Sequence, residues 1–465
     1  MTASKTEDTG PGGAVTAYWC ELAWLPPGEI AEGVLVTVAE GRFSDIVRDV
    51  PAPPPGAERL AGLTLPGLAN AHSHAFHRAL RGHTHDCAAE PGEATFWTWR
   101  EQMYGVAGRL DPDSYLALAR ATYAEMALAG ITSVAEFHYL HHGPDGMSYA
   151  DPNAMGHALV QAAMEAGLRI SLLDTCYLSG GVGVPLTGVQ RRFGDGDAER
   201  WAIRAEALAA AYKGEPAVEV GAAIHSVRAV APEQMRLVVA FSDHHAVPLH
   251  AHVSEQRAEN AACVEMYSAS PVQVLHEHGA LGPRSTAVHA THLSDVDIAL
   301  LGQSSTHICM CPTTERDLAD GIGQARALFE AGAPITLGTD SNAVIDLFEE
   351  ARAVEFGERL ATERRCHWTA AELLTAATST GHASLGFPDG GTLCPGAWAD
   401  LVSVRLDSVR TAGADPARAV ETVVFAATAA DVHSVVSGGR RVVSEGRHVL
   451  GDVGAMLSEA IGQVR

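Results

Sequence analysis

At residues 65–74 the chain reads LPGLANAHSH, an apolar run that ends in two histidines, His72 and His74. Successive side chains of an extended strand point to opposite faces, so residues i and i+2 lie on the same face. Two imidazoles on one face can close on a single metal ion. The stretch therefore predicts a buried strand with metal ligands at its carboxyl end.

A pair of histidines is weak evidence alone, because the chain has 23 histidines and a chance pair on a solvated strand is the simpler alternative. Three later residues strengthen the prediction, since each ends a short apolar run. They are His252 after 246–251, His289 after 286–288 and Asp340 after 335–339. Together with the first pair, they offer a complete coordination sphere.

Length and composition limit the classes of protein. A chain of 465 residues exceeds a usual single domain, which favours a large barrel with an accessory module or two to three domains. The net charge of −24 disfavours nucleic acid or an anionic membrane surface as a partner. No apolar stretch approaches the roughly 20 residues that span a bilayer, and the first residues lack a signal core. We expect a cytoplasmic protein.

The eight cysteines include no CxxC pair, which fits free thiols in a reducing compartment. Cys309 and Cys311 lie two apart in a strand-like segment and could form a soft ligand pair. We expect them to be core residues instead.

The middle of the chain alternates short β-like runs with amphipathic helical segments. The predicted strands are 63–71, 131–139, 169–177, 218–225, 247–252, 286–290, 307–311 and 335–340. The predicted helices are 114–128, 154–166, 198–211, 232–242, 271–278, 295–301, 324–331 and 346–360. Eight strand-then-helix repeats favour an α/β fold of the closed (β/α)8 TIM barrel type.

The flanking segments have a different character. Residues 14–62 and 390–465 consist of short strands and turns rich in Gly and Pro, and could pair into a small β-sandwich beside a barrel at 63–389. Residues 1–13 are predicted to be a disordered tail.

A barrel gives the candidate ligands a common location. Functional groups in this architecture project from the carboxyl ends of the strands. His72 and His74 end strand one, His252 strand five, His289 strand six and Asp340 strand eight. They are therefore expected to converge on one mouth, and His225, at the end of strand four, joins them.

This arrangement resembles the amidohydrolase superfamily, and residues 391–401 look like that superfamily's return into its β-sandwich. The match covers nearly the whole chain. Some members bridge two metals with a carboxylated lysine at the end of strand four, but lysine occurs here only at positions 5 and 213. The resemblance thus implies one metal ion per subunit, with zinc the first choice and iron the second, held by His72, His74, His252 and Asp340.

A finer resemblance is to the formimidoylglutamate deiminase family. It rests on five blocks in the right order, 71–76, 96–100, 135–139, 225–230 and 252–256. His77 departs from it, since the family is expected to carry Gln there. The resemblance implies hydrolytic deimination of N-formimidoyl-L-glutamate to N-formyl-L-glutamate and ammonia, in histidine degradation, by a homodimer.

Roles for the catalytic residues follow from the same resemblance. Glu255, three residues beyond His252, would carry a proton to the imino nitrogen, although a Glu at this place is often only a helix N-terminal carboxylate. Asp340 would take a proton from the attacking water, and His289 would polarise the substrate or steady the tetrahedral intermediate. His292 competes with His289 for this role, and His250 is expected to be a packing residue.

A dicarboxylate substrate needs local cations in so acidic a protein. A guanidinium binds a carboxylate through two parallel hydrogen bonds. The resemblance implies that the substrate is held by Arg100, Tyr139, His225 and Arg228, with His77 near it. The alternative for either arginine is a surface ion pair, and Trp97 and Trp99 could be packing residues that wall the pocket.

Two other functions are compatible with the sequence. A deaminase of a purine-like or other aromatic ring would prefer a flat apolar slot to paired arginines. A catalytically silent barrel that acts as a binding protein would be expected to have lost a metal ligand or Glu255, and none is missing.

Overall fold

Two eight-stranded sheets organise the part of the chain that this computed structural model describes, residues 16–85 and 96–465. The predicted disordered tail lies outside the described residues. The strands are β1 Thr16–Leu25, β2 Glu29–Ala39, β3 Arg42–Val47, β4 Glu58–Pro66, β5 Leu68–Ser73, β6 Ile131–His138, β7 Arg169–Cys176, β8 Val218–Ile224, β9 Leu249–Val253, β10 Ser285–His289, β11 His307–Met310, β12 Ile335–Leu337, β13 Leu401–Val404, β14 Val432–Ser437, β15 Arg440–Ser444 and β16 Arg447–His448.

Strands β5 to β12 form a parallel barrel in sequence order. The barrel closes where Ser73 pairs in parallel with Asp340, since His74 N–H donates to Asp340 O at 3.0 Å and Asp340 N–H donates to His72 O at 3.0 Å. Every residue of β5, β6 and β7 is buried, as expected for parallel strands covered on both faces. The predicted (β/α)8 barrel is confirmed.

Helices surround the barrel and cover its outer face. They are α1 Phe96–Ala107, α2 Pro112–Leu128, α3 Ala154–Ala166, α4 Ala198–Ala211, α5 Pro232–His245, α6 Arg257–Tyr267, α7 Pro271–Glu277, α8 Asp295–Gln303, α9 Pro312–Asp317, α10 Ala325–Glu330, α11 Leu347–Thr362, α12 Ala370–Ala377, α13 Ser379–Ser384, α14 Ala419–Ala426 and α15 Val453–Gln463. Several begin at side-chain caps, such as Asp111 before α2 and Ser270 before α7.

The terminal segments share the second sheet, in the order β16-β15-β14-β13-β4-β1-β2-β3. The amino-terminal and carboxyl-terminal segments meet where β4 pairs antiparallel with β13. The prediction that residues 63–71 form one barrel strand is wrong. Residues 63–66 end β4 in the terminal sheet, and the barrel begins at Leu68, after Gly67. A Cβ at Gly67 would lie 2.7 Å from Asp400 Cβ, so this junction accepts only glycine without rearrangement.

The carboxyl-terminal segment is also more helical than expected. Within 390–465, which we expected to contain only strands and turns, α14 packs against α11 and α12, and α15 packs against α2. The buried residues of α15, among them Val453, Leu457 and Ile461, follow a helical period. None of the helices in the described residues has the length and apolar character needed to cross a membrane.

Candidate active site

The four side chains that the sequence predicts to be metal ligands converge at the carboxyl ends of the barrel strands. His72 and His74 come from the end of β5, His252 from β9 and Asp340 from the loop after β12. Asp340 Oδ1 lies 3.3 Å from His72 Nε2 and 3.4 Å from His74 Nε2, and the Nε2 atoms of His72 and His252 are 3.2 Å apart. None of the four residues is more than 6% exposed.

Hydrogen bonds orient two of these rings. His74 Nδ1 lies 2.8 Å from the carbonyl oxygen of Phe137, and His252 Nδ1 lies 2.9 Å from that of His225. A carbonyl only accepts, so each Nδ1 carries the hydrogen, and in the neutral ring Nε2 keeps its lone pair. Such lone pairs aimed at one point are the geometry that a cation requires.

The charge states suit a cation as well. Burial lowers the pKa of His72, and lowers the pKa values of His74 and His252 well below the ordinary histidine range. Burial would raise the pKa of Asp340, but its hydrogen bond with His72 and the nearby rings lower it instead. Three neutral imidazoles and a carboxylate fit a divalent ion, with zinc or iron favoured by the ligand types.

His289 and Glu255 stand beside these donors. His289 Nε2 lies 3.9 Å from Asp340 Oδ2 and 3.9 Å from Glu255 Oε1, and its ring is stacked with His252. Burial lowers the pKa of His289, but Glu255, Glu315 and Asp340 outweigh it, so that pKa lies well above its usual value. Burial raises the pKa of Glu255, although His289 and Arg228 oppose the shift. Both shifts favour the protonated form of the residue concerned.

The backbone at these positions is unusual. His289 has φ of 68° and Asp340 has φ of 42°, both in the left-handed region that non-glycine residues rarely adopt. Such conformations cost about 1–3 kcal/mol each and persist only where surrounding contacts enforce them. The fold thus holds two chemically active side chains at positions that a relaxed strand end would not provide.

A cavity of about 160 Å³ opens above the donors. His74, His252 and Asp340 line it together with Glu255 and His289. Its walls include all five residues that the sequence analysis assigned to the substrate, namely His77, Arg100, Tyr139, His225 and Arg228. Trp99 also lines the cavity, whereas the side chain of Trp97 lies outside the described residues.

The two arginines act on the same part of this cavity. Burial, followed by the charges of Arg228 and Arg100, lowers the pKa of His225 well below its usual value. Arg228 Nη2 lies 3.9 Å from Glu255 Oε2, and its Nε lies 3.9 Å from Glu259 Oε1. The guanidinium of Arg228 therefore lies beside both Glu255, which lines the same cavity, and Glu259.

His77 and Tyr139 form a hydrogen-bonded pair in the wall of the cavity. His77 Nε2 lies 2.9 Å from the Tyr139 hydroxyl oxygen, and burial lowers the pKa of His77 to about 3. His77 is consequently neutral at physiological pH. It lines the cavity as a polar group without charge.

Two other histidines lie away from the cavity. His292 borders an outer groove, and its backbone N–H donates to Ser254 O. His250 is fully buried, with Nε2 3.1 Å from Ser384 O. Cys309 and Cys311 lie in the barrel interior with their Sγ atoms 3.9 Å apart.

The sequence analysis missed two acidic residues, Glu259 and Glu315. Glu259 is four residues beyond Glu255 on α6, and its Oε2 accepts from Glu255 N–H at 3.3 Å. Glu315 lies on α9 after the seventh barrel strand, with Oε1 3.4 Å from His289 Nδ1. Both follow barrel strands by a few residues, and this position is the signal that could have indicated them.

Comparisons with known proteins agree with this geometry. The model of the amidohydrolase family matches residues 63–442. Formimidoylglutamate deiminase of Pseudomonas aeruginosa is 36% identical over 93% of this chain and 96% of its own length, and 8-oxoguanine deaminase of the same organism is 33% identical over 89% and 90%. The crystal structure of an amidohydrolase from Brucella melitensis, 32% identical, superposes with a TM-score of 0.89 over 97% of this chain and 99% of that one. The chain therefore belongs to the amidohydrolase family and is a hydrolase of carbon–nitrogen bonds.

Proposed function

We propose that this protein hydrolyses N-formimidoyl-L-glutamate to N-formyl-L-glutamate and ammonia. One observation carries the proposal: a single cavity combines the metal-donor cluster with two arginines, Arg100 and Arg228. A linear amidine with two carboxylates matches that combination, because the amidine carbon can lie at the donors while the carboxylates meet the guanidinium groups. The similarity to a formimidoylglutamate deiminase supports the same substrate.

We propose one divalent ion per subunit, zinc first and iron second, held by His72, His74, His252 and Asp340. Such an ion supplies Lewis acidity, which makes water a nucleophile near neutral pH. The chain offers no lysine near the end of β8 that could bridge a second ion.

The residues beside the donors supply the proton transfers. The oxygen of water adds to the amidine carbon, and Asp340 accepts the proton that this oxygen loses. Glu255 delivers a proton to the imino nitrogen, which becomes an amino group. When the carbon–nitrogen bond breaks, the proton held by Asp340 passes to this nitrogen, which leaves as ammonia. The remaining hydroxyl proton returns to Glu255 as the formyl carbonyl forms. His289, 3.9 Å from both carboxylates, stabilises the charge that develops between them.

The glutamate portion occupies the cavity wall. Arg100 and Arg228 each bind one carboxylate, and Tyr139, His225 and His77 contact the remaining polar atoms. At about 4 Å and an effective dielectric of 20, one such ion pair gains roughly 4 kcal/mol of Coulomb attraction before desolvation. This local attraction offsets the repulsion that a net charge of −24 exerts on a dianion.

A deaminase of an aromatic ring is the second candidate. Aromatic side chains in the cavity wall favour this candidate, because they can pack against a ring substrate. Phe193 packs against both Tyr139 and Tyr177, with ring centroids 5.1 Å and 5.3 Å apart, and all three residues line the cavity. The similarity to an 8-oxoguanine deaminase supports it as well. A purine has no carboxylate to offer the two arginines, which is why we favour the dicarboxylate.

Ammonia release distinguishes these candidates. The zinc-loaded protein is assayed with formimidoylglutamate, guanine and adenosine at equal concentrations. We expect turnover of formimidoylglutamate at least about 100-fold above either ring compound, since a ring compound makes no charge-assisted hydrogen bonds between substrate carboxylates and the two guanidinium groups. Turnover of a ring compound alone would refute the proposed substrate.

A cytoplasmic homodimer is also proposed, on the family resemblance, and light scattering measures the mass in solution.

A further inference from the structure

We propose that Glu315 is a positioning residue that fixes the ring of His289, so that His289 presents Nε2 to the reacting atoms. The inference rests on the proposed catalytic role of His289. It assigns a function to a buried carboxylate that does not reach the cavity itself and that the mechanism above does not use.

Hydrogen bonds to two different elements define the place of Glu315. Its Oε1 atom lies 3.4 Å from His289 Nδ1 at the end of β10, and it accepts the N–H of Cys311 at 2.9 Å. Glu315 is 4% exposed and His289 is 1% exposed. Because the Cys311 amide belongs to the rigid start of α9, it fixes the carboxylate, and the carboxylate fixes the ring.

The backbone of His289 explains why its ring needs this support. His289 and Ala290 have φ values of 68° and 50°, and the Ala290 N–H donates to Val253 O at 3.0 Å. A left-handed backbone turns the side chain away from the direction it takes at an ordinary strand end, so a contact at one ring nitrogen can decide which way the ring faces. A hydrogen bond at Nδ1 selects one of the two ring flips, as a buried carboxylate does for the histidine of a catalytic triad.

The selected orientation has a direct consequence for the reaction. With Nδ1–H committed to Glu315, the other nitrogen, Nε2, faces Asp340 and Glu255 at 3.9 Å from each. The flipped ring would place carbon atoms there instead. Glu315 thus acts on the reaction only through His289.

A second metal site is the competing interpretation of the same residues. His289, Cys311 and Glu315 offer ligand atoms within 4.8 Å of one another. However, Glu315 and His289 already contact each other directly, and burial together with the nearby Cys309 raises the pKa of the Cys311 thiol well above its usual value. A thiol that keeps its proton is a poor ligand, because metals bind the thiolate.

Steady-state kinetics of Glu315→Ala, Glu315→Gln and a control test the inference. We expect Glu315→Ala to lower kcat by about 10- to 100-fold, the usual effect of removing a histidine's outer partner, with KM within about 2-fold. Glu315→Gln should recover most of the loss, because its amide oxygen can still accept from Nδ1. Glu350→Gln is the matched control, since this buried carboxylate on α11 accepts from Thr313 N–H at 2.9 Å. The control should keep kcat within about 2-fold, and a kcat loss equal to that of Glu315→Ala would overturn the inference.

Two measurements without substrate complete the test. In the zinc-loaded protein, a downfield imidazole N–H proton resonance that disappears in His289→Gln should also disappear in Glu315→Ala and persist in Glu350→Gln. Its persistence in Glu315→Ala would overturn the inference. Metal content should be the same in Glu315→Ala and the wild type, and loss of one equivalent would favour the second metal site. If only a ring compound is turned over, the proposed substrate fails, and the same kinetic comparison made with that compound still tests Glu315.

Discussion

Replacing Arg228 with Met tests whether this guanidinium binds a substrate carboxylate. Removing one partner of a buried charge pair costs at least about 2 kcal/mol, and the Coulomb attraction at 4 Å sets an upper value of roughly 4 kcal/mol. Since about 1.4 kcal/mol is a factor of ten, kcat/KM should fall by about 30- to 700-fold. Values near the upper end are expected, because Glu255 and Glu259, each 3.9 Å from Arg228, would then repel the substrate.

Analogues separate substrate binding from effects on Glu255. Ammonia release is measured with formimidoylglutamate and with two analogues that each lack one carboxylate, for the wild type, Arg228→Met and Arg228→Lys. We expect the penalty of Arg228→Met to shrink to less than about 5-fold for one of the two analogues. Arg228→Lys should fall between the wild type and Met, because it keeps the charge without the fork. Full activity of Arg228→Met, or an equal penalty for all three compounds, would refute the reasoning.

Three further predictions concern the metal donors and the fold. Asp340→Asn should lower bound metal and reduce kcat by more than about 1,000-fold, measured by metal analysis and ammonia release, because it removes both a ligand and a proton acceptor. Gly338→Ala should weaken zinc binding about 10-fold or more without changing a donor, because a Cβ there would lie 2.8 Å from His72 Cβ. Gly282→Ala is the control, since a Cβ at Gly282 would have nothing within 4 Å. Equal zinc affinity in the two variants would contradict the predicted displacement of His72. Burial raises the pKa of Asp195, but hydrogen bonds from His142 and Arg204 outweigh the effect of burial and lower that pKa. The ionised carboxylate therefore stabilises the fold above about pH 4, and this stabilisation is lost on acidification. Asp195→Asn should therefore melt at a lower temperature than the wild type at pH 7, and its melting temperature should fall less between pH 7 and pH 3. A fall in melting temperature as large as that of the wild type would show that Asp195 does not make this pH-dependent contribution.

The barrel and its donor cluster could be predicted from sequence because barrel strands are buried on both faces. Such strands appear as largely apolar runs, and the polar residues at the carboxyl end of each run mark the mouth. His72, His252 and Asp340 all carry this signal. Chain order alone then places them together, since a closed parallel barrel brings every carboxyl end to one rim.

Other features could not be predicted because their signals are absent or ambiguous. The break at Gly67 lies inside one apolar run, and both strands beside it are buried, so residue type does not show that the chain passes from one sheet to another. The contact of Glu315 with His289 depends on how α9 turns after β11, and spacing does not determine that turn. By contrast, the buried apolar residues of α15 recur in the sequence at a helical period, so this helix could have been predicted. The expectation of strands and turns at this end of the chain is the reason that it was not.

The most direct test of the account is a metal titration of the metal-free protein, with formimidoylglutamate-dependent ammonia release measured at each step. The account predicts no activity without metal and a linear rise that ends at one zinc per chain. A rise that continues to two equivalents, or a fully loaded protein that releases no ammonia from formimidoylglutamate, would contradict the proposal of a single-ion deiminase.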